Sequence, residues 1–156
     1  MPRLLLALAT LLMAASVGQA QPRPESVVSW TARAEGGARG AEARVVFAAT
    51  IAPGWKVYAL DSPVGRPLSL ALDALPRGVS AGPLRQRGAV RGYDEAFGAE
   101  GSTFSGTARV EQLLRVDRRA VRGRHAVTGT LRYAVCDAQI CLPPATAPFR
   151  VTLTVR

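Results

Sequence analysis

Near the C-terminus the chain alternates strictly. Phe149, Val151, Leu153 and Val155 are apolar, and Arg150, Thr152, Thr154 and Arg156 between them are polar. A period of two puts these sets on opposite faces of an extended strand, whereas a helix would scatter them. The pattern recurs in Val127, Gly129, Leu131, Tyr133 and Val135 against Thr128, Thr130 and Arg132, and again in Val45, Phe47, Ala49 and Ile51. Weaker runs lie at 27–34, 55–60, 68–72 and 103–116. Turn signals separate them: Glu35-Gly36-Gly37, Pro53-Gly54, Ser62-Pro63-Val64-Gly65, Pro76-Arg77-Gly78 and Gly82-Pro83. Seven or more short strands so punctuated predict an all-β chain, an immunoglobulin-like β-sandwich. A short helical turn is expected only at 117–121 and in the acidic stretch near Asp94. Residues 21–25 read as a loose lead-in and 34–41 as a mobile loop.

Composition agrees with one domain of this kind. The 156 residues are 48% hydrophobic and 20% charged, with 15 Gly and 11 Pro, so neither a charged disordered chain nor a coiled coil fits. Part of the apolar excess belongs to a leader. Arg3 precedes the apolar run of residues 4–15, and Gly18-Gln19-Ala20 supplies small residues where a signal peptidase reads. The run is shorter than the roughly 20 residues of a membrane span. Residues 1–20 are therefore expected to be a signal peptide cleaved after Ala20, and residues 21–156 the exported domain, periplasmic or secreted. Without Arg3, 19 basic and 11 acidic side chains remain, a formal charge of +8. This charge draws the chain toward anionic surfaces, but nucleic acid is a poor partner for an exported protein. The cluster Arg115, Arg118, Arg119, Arg122 and Arg124 reads as a solvated loop.

Two cysteines, Cys136 and Cys141, lie between two strands with four residues separating them. A four-residue connection is a common hairpin length, and opposed strand positions lie within reach of a disulfide. As a staple the bond would do little, since closing so short a loop removes only roughly 2 kcal/mol of chain entropy, against about 4.7 for a 100-residue loop. Alternation puts Cys136 on the face opposite Tyr133 and Val135, so its sulfur is expected near the surface, where another thiol can reach it. Short, accessible disulfides are the exchange-prone kind. Spacing alone leaves redox chemistry and a structural bond equally open. A third option is a metal: with His125 the two thiolates give three ligands where structural zinc needs four, and Cu(I) on the thiolate pair has no Met-rich stretch to support it. No metal or other cofactor is expected, and His125 has no partners for a hydrolytic triad.

Three blocks of the chain resemble one family. Gly54-Trp55-Lys56-Val57-Tyr58, Tyr93-Asp94-Glu95-Ala96-Phe97-Gly98 and the stretch from Tyr133 to Pro144, with Leu142-Pro143-Pro144 after the second cysteine, are similar in order to the N-terminal periplasmic domain of the thiol:disulfide interchange protein DsbD. The resemblance implies an immunoglobulin-like domain that shuttles electrons in the periplasm, a thiol-disulfide oxidoreductase of the protein-disulfide reductase relay type. It makes Cys136 and Cys141 the redox pair, with Cys141 forming the link to partners. Asp94, Glu95, Ala96, Phe97 and Gly98 become a cap over the sulfurs, Phe97 being its aromatic shield, and Trp55, Tyr58, Tyr133, Asp137 and Pro143 support the site. Asp94, Glu95 and Asp137 would oppose thiolate formation. Implied partners are periplasmic thioredoxin-like or disulfide-carrying proteins.

Departures from the pattern matter too. The best-known version has five residues between the cysteines instead of four, and Ala96 stands where an aromatic is common. The family's familiar protein continues into membrane and thioredoxin-like domains, whereas this sequence stops at Arg156. The donor is then expected to be a separate, membrane-embedded thiol protein, and the chain itself a monomer. The competing reading, from a different class, is a non-catalytic envelope binding or assembly domain with a structural disulfide.

Overall fold

A computed structural model describes residues 21–156; the expected signal peptide lies outside them. After a single helical turn, α1 (Pro24–Val27), every regular element is a strand: β1 (Val28–Gly36), β2 (Glu42–Ile51), β3 (Lys56–Tyr58), β4 (Ser69–Leu72), β5 (Val79–Arg87), β6 (Val90–Asp94), β7 (Ala99–Ser105), β8 (Thr107–Val116), β9 (Gly123–Tyr133), β10 (Val135–Cys136) and β11 (Ala145–Val155). They form three antiparallel sheets, ordered β1-β2-β8-β5, β10-β3-β7-β6 and β11-β9-β4. Because β9 runs on into β10 after one residue, the second and third sheets share a chain and together oppose the first. The fold is an immunoglobulin-like β-sandwich.

The alternating residues face inward as their period requires. Val45, Phe47, Ala49 and Ile51 of the first sheet join Val127, Leu131, Tyr133, Val151, Leu153 and Val155 of the opposing layer in one buried cluster. Phe47 meets Phe149 edge-on across the gap, ring centroids 4.8 Å apart. At about 25 cal/mol per Å² of apolar surface removed from water, this contact area is the main force holding the layers together.

Several expectations need correction. Residues 34–41 are not a mobile loop: β1 pairs with β2 through Gly36↔Ala43, and the short turn is tied down by Arg39 N–H to the Arg156 carbonyl (3.1 Å) and Gly40 N–H to that of Val116 (2.8 Å). Gly82-Pro83 is no turn either. It forms an irregularity between Ala81 and Leu84 of β5, an edge strand, where a residue without an N–H is tolerated. The run 103–116 is two strands, since Gly106, at φ +71°, breaks it and sends the halves into different sheets. Residues 117–121 form a hydrogen-bonded turn, and the stretch near Asp94 ends β6 and turns into β7; neither is helical. Among the described residues, the one helix falls instead where a loose lead-in was expected.

Candidate active site around the disulfide

The second sheet has two faces with different fates. Val57, Phe104 and Val135 point into the core and are fully buried. Cys136, Lys56 and Tyr58 point the other way: Cys136 stands opposite Lys56 and Val135 opposite Val57, and side chains of directly opposed residues share a face. Asp94 is reached through the neighbouring pairs Tyr58↔Thr103 and Asp94↔Ala99, and lies on that same outer face.

β10 turns back at once. Asp137 N–H bonds the Ile140 carbonyl (2.9 Å) and Leu142 N–H bonds that of Val135 (3.0 Å), which leaves Cys136 and Cys141 directly opposed with Cα atoms 4.0 Å apart and joined by a disulfide. Asp137 shapes the tip, its Oδ1 accepting from the amides of Gln139 and Ile140, both at 2.7 Å. Those amides hold its carboxyl below the usual carboxylate range. Leu142 plugs into the core, and Pro143 is exposed beyond it.

The two cysteines are unequal. Cys136 is 1% exposed, whereas Cys141 is open to solvent. The expectation of a surface-exposed Cys136 is therefore corrected: its side chain does leave the core face, but a second small layer covers it. Tyr58, Ala134 and Cys136 form a separate buried cluster with Val64 packed on it. Gly65, at φ +71°, lies so close to the Tyr58 ring that a Cβ there would come within 2.7 Å. The segment carrying Val64 and Gly65 is fixed by Ser62, whose Oγ donates to the Val64 carbonyl (2.9 Å) and accepts from Ser102 N–H (3.2 Å).

The β6–β7 turn, residues 94–98, packs against Tyr58. Asp94, 2% exposed, accepts at Oδ2 from the Tyr58 hydroxyl and from the Lys56 ammonium, both at 2.9 Å. Its Oδ1 accepts from Ala96 N–H (3.1 Å), and its carbonyl from Phe97 N–H (3.1 Å), so one residue anchors the whole turn. Burial alone would raise the Asp94 pKa. The hydrogen bonds from Lys56 and Tyr58 and the Lys56 charge outweigh it and hold the carboxyl below its ordinary value. Burial, reinforced by Asp94, pushes the Tyr58 hydroxyl far up. Phe97, 47% exposed, sets its edge on the Tyr58 ring at 5.8 Å and so reaches the buried cluster through Tyr58. Glu95, Ala96 and Gly98 lie in solvent.

Of the residues expected around the site, the structure brings Tyr58, Asp94, Phe97 and Asp137 to the disulfide's side of the sheet. Trp55 and Tyr133 belong elsewhere. Trp55 packs on the main core, and Tyr133 faces inward against Trp30, centroids 5.8 Å apart. His125 sits near the start of β9, about 25 Å of strand from Tyr133, so it shares no ligand set with the cysteines. Lys56, Val64 and Gly65 were not anticipated. Gly65 was legible only as a turn residue, and Lys56, the chain's single lysine, only as part of an aromatic block. By pairing with Asp94, Lys56 offsets one of the three acids expected to oppose a thiolate.

Comparison with solved structures finds the N-terminal periplasmic domain of ScsB from Proteus mirabilis, at TM-score 0.49 and 14% identity, covering 82% of this chain and 45% of that one. A family 123 glycoside hydrolase from Clostridium perfringens matches at TM-score 0.37 and 8% identity, over 77% and 22%. This chain thus spans less than half of either. No curated protein matches its sequence. A family model does, across every strand from β1 to most of β11: residues 24–153 match "Thiol:disulfide interchange protein DsbD, N-terminal", and the chain belongs to that family.

Proposed function

We propose that this chain is a thiol–disulfide exchange module of the periplasm that carries two electrons on the Cys136–Cys141 pair between partner proteins. The observation that carries the reading is the unequal exposure of the two halves of one disulfide, Cys136 sealed under Tyr58 and Cys141 open. A donor thiolate attacks Sγ of Cys141, the half it can approach. The Cys136–Cys141 bond breaks, and its electron pair goes to Cys136 Sγ, which takes a proton. The donor's second thiolate then attacks the donor sulfur of the mixed disulfide and releases Cys141. The donor leaves oxidised, with the chain holding the dithiol. Onward transfer reverses the roles: Cys141 attacks an acceptor disulfide, and Cys136 resolves the mixed disulfide by attacking Cys141.

The turn 94–98 serves as a cap. Tyr58 and Phe97 keep small oxidants from the buried sulfur, and a docking partner displaces the half-exposed Phe97. Thioredoxin-like or disulfide-carrying proteins fit as partners, with a separate membrane-embedded thiol protein as donor and residues 1–20 as the export signal. The reduction potential of the Cys136–Cys141 bond tests this. An exchanging bond lies above about −300 mV and a structural one below it. In parallel, Cys136→Ala leaves Cys141 without its resolving partner, so mixed disulfides accumulate in an envelope extract. A potential below that mark with no trapped partner leaves a binding domain with a clasp.

A further inference from the structure

The strands carry seven arginines to the end of the sandwich farthest from the disulfide. β9 runs from Gly123 to Tyr133, about 33 Å, so the β8–β9 connection lies a full strand length from the cysteine hairpin. Arg115, Arg118, Arg119, Arg122 and Arg124 lie on or beside that connection and are all exposed. Neighbouring turns bring Arg39 and Arg77 to the same end, also exposed.

These turns are locked together. Gly40 N–H bonds the Val116 carbonyl (2.8 Å), Asp117 N–H bonds that of Gly78 (2.8 Å), and Ala120, 1% exposed, packs against Gly78. Three acidic side chains share the region, of which Glu35 is already held by Arg33 and Arg44. Asp117 spends Oδ1 on the amide of Arg119 (2.7 Å), and Glu42 stands opposite Arg115 in register. None of the ion pairs among the described residues includes any of the seven arginines. At the tip, between Arg119 and Arg122, Val121 is 54% exposed, its carbonyl held by His125 Nε2 at 2.7 Å.

We infer that this pole docks on an anionic phospholipid surface. Arginines outside any ion pair on a set of locked turns match a plane of phosphodiester groups, and an exposed apolar residue among them enters the interface. The nearby concavity does not suit a single headgroup, because Glu42 and Asp117 line it beside Arg115. The attraction is therefore to surface charge, without preference among anionic lipids. Docked this way, the chain holds its disulfide about 30 Å above the bilayer. The inference stands whether or not the disulfide exchanges.

Co-sedimentation of the oxidised protein with vesicles tests it. Binding is expected to phosphatidylcholine vesicles containing about 30% phosphatidylglycerol, equally to phosphatidylserine at the same charge, and not to phosphatidylcholine alone. It weakens at least tenfold between about 50 and 300 mM salt as the screening length shrinks. Arg118→Gln, Arg119→Gln, Arg122→Gln and Arg124→Gln together reduce it more than about a hundredfold, at about fivefold per charge, and Val121→Asp also weakens it. A variant that loses the same charge elsewhere (Arg66, Arg85, Arg132 and Arg150 to Gln) keeps most of the binding, with circular dichroism confirming that both variants fold. The inference is overturned if the two quadruple variants bind alike, if neutral vesicles bind equally, or if no vesicle binds.

Discussion

Both the first and second sheets turn one face away from the core, and each of these outer faces buries a carboxylate in its own way. On the first sheet Glu111 is held by Arg109 at 2.8 Å, with Arg44 and Arg87 at 3.6 and 3.9 Å, and these arginines remain 39–71% exposed. The hydrogen bond from Arg109 comes first in holding its carboxyl down; burial opposes it, and the charges of Arg109, Arg87 and Arg44 add to it. On the second sheet Asp94 is held by a 24% exposed lysine and a fully buried tyrosine, beneath protein. The first arrangement is an ion network laid on a solvated face, and such networks are worth little each because water can replace them. In the second, only the lysine reaches water, and the tyrosine and the carboxylate do not. A sheet's outer side is closed to water only where loops pack on it, and here Val64 packs on the Tyr58–Ala134–Cys136 cluster while Asp94 and Phe97 pack on Tyr58.

The sharpest way to break that difference is to disturb this packing. Gly65→Val places a Cβ 2.7 Å from the Tyr58 ring at φ +71°, whereas Gly106→Val has the same φ with open space around it. The left-handed backbone costs each about 1–2 kcal/mol. Overpacking adds about 1–3 more at Gly65 alone, so its melting temperature should fall several degrees further than that of Gly106→Val. Alkylation of reduced Cys136 should also quicken only in Gly65→Val.

Next come the carboxylates. Asp94→Asn removes the charged end of two buried hydrogen bonds and should cost about 2 kcal/mol, against about 1 for Glu111→Gln, whose arginines re-enter water. Hydrogen exchange at Ala96 and Phe97 should rise in the first variant and stay unchanged in the second. Acid repeats the experiment on the native chain. The Asp94 pKa is depressed in the fold, so its contribution is complete above the unfolded value, about 3.9, and is lost as pH falls through the lower folded value. The cap amides should accordingly hold their protection from pH 7 to about 4 and lose it below.

The smallest effect on stability is expected at Phe97. One edge-on contact with a ring still half in water contributes under about 1 kcal/mol, so Phe97→Ala should barely move the melting temperature. It should nevertheless speed alkylation of reduced Cys136, a change that Arg87→Ala on the opposite sheet does not produce.

Much of this architecture could be read from the chain alone. β2, β9 and β11 lie where alternation puts them, because burial of one face selects for period two. β5 was not visible, since Gly82-Pro83 carries the marks of a turn and only an edge position lets it stay in a strand. The split at Gly106 was hidden for a related reason: both halves alternate, and one positive φ redirects the second without leaving a polar break. Around the site, the hairpin and its disulfide were legible from the four-residue spacing. The roles of Lys56, Val64 and Gly65 were not, because each acts on a residue in another strand or across a turn.

Cys136 shows where the division falls. Its parity, opposite to that of Tyr133 and Val135, settles that its side chain leaves the core face, because neighbouring residues of a strand must point to opposite sides. Whether that side meets water is a property of whatever lies above it. Here that is Tyr58 beneath Gly65 and the Asp94-anchored turn, brought over from remote stretches of chain. Local geometry assigns a direction to each side chain, and long-range packing assigns its surroundings. The exposure that separates Cys141 from Cys136 belongs to the packing.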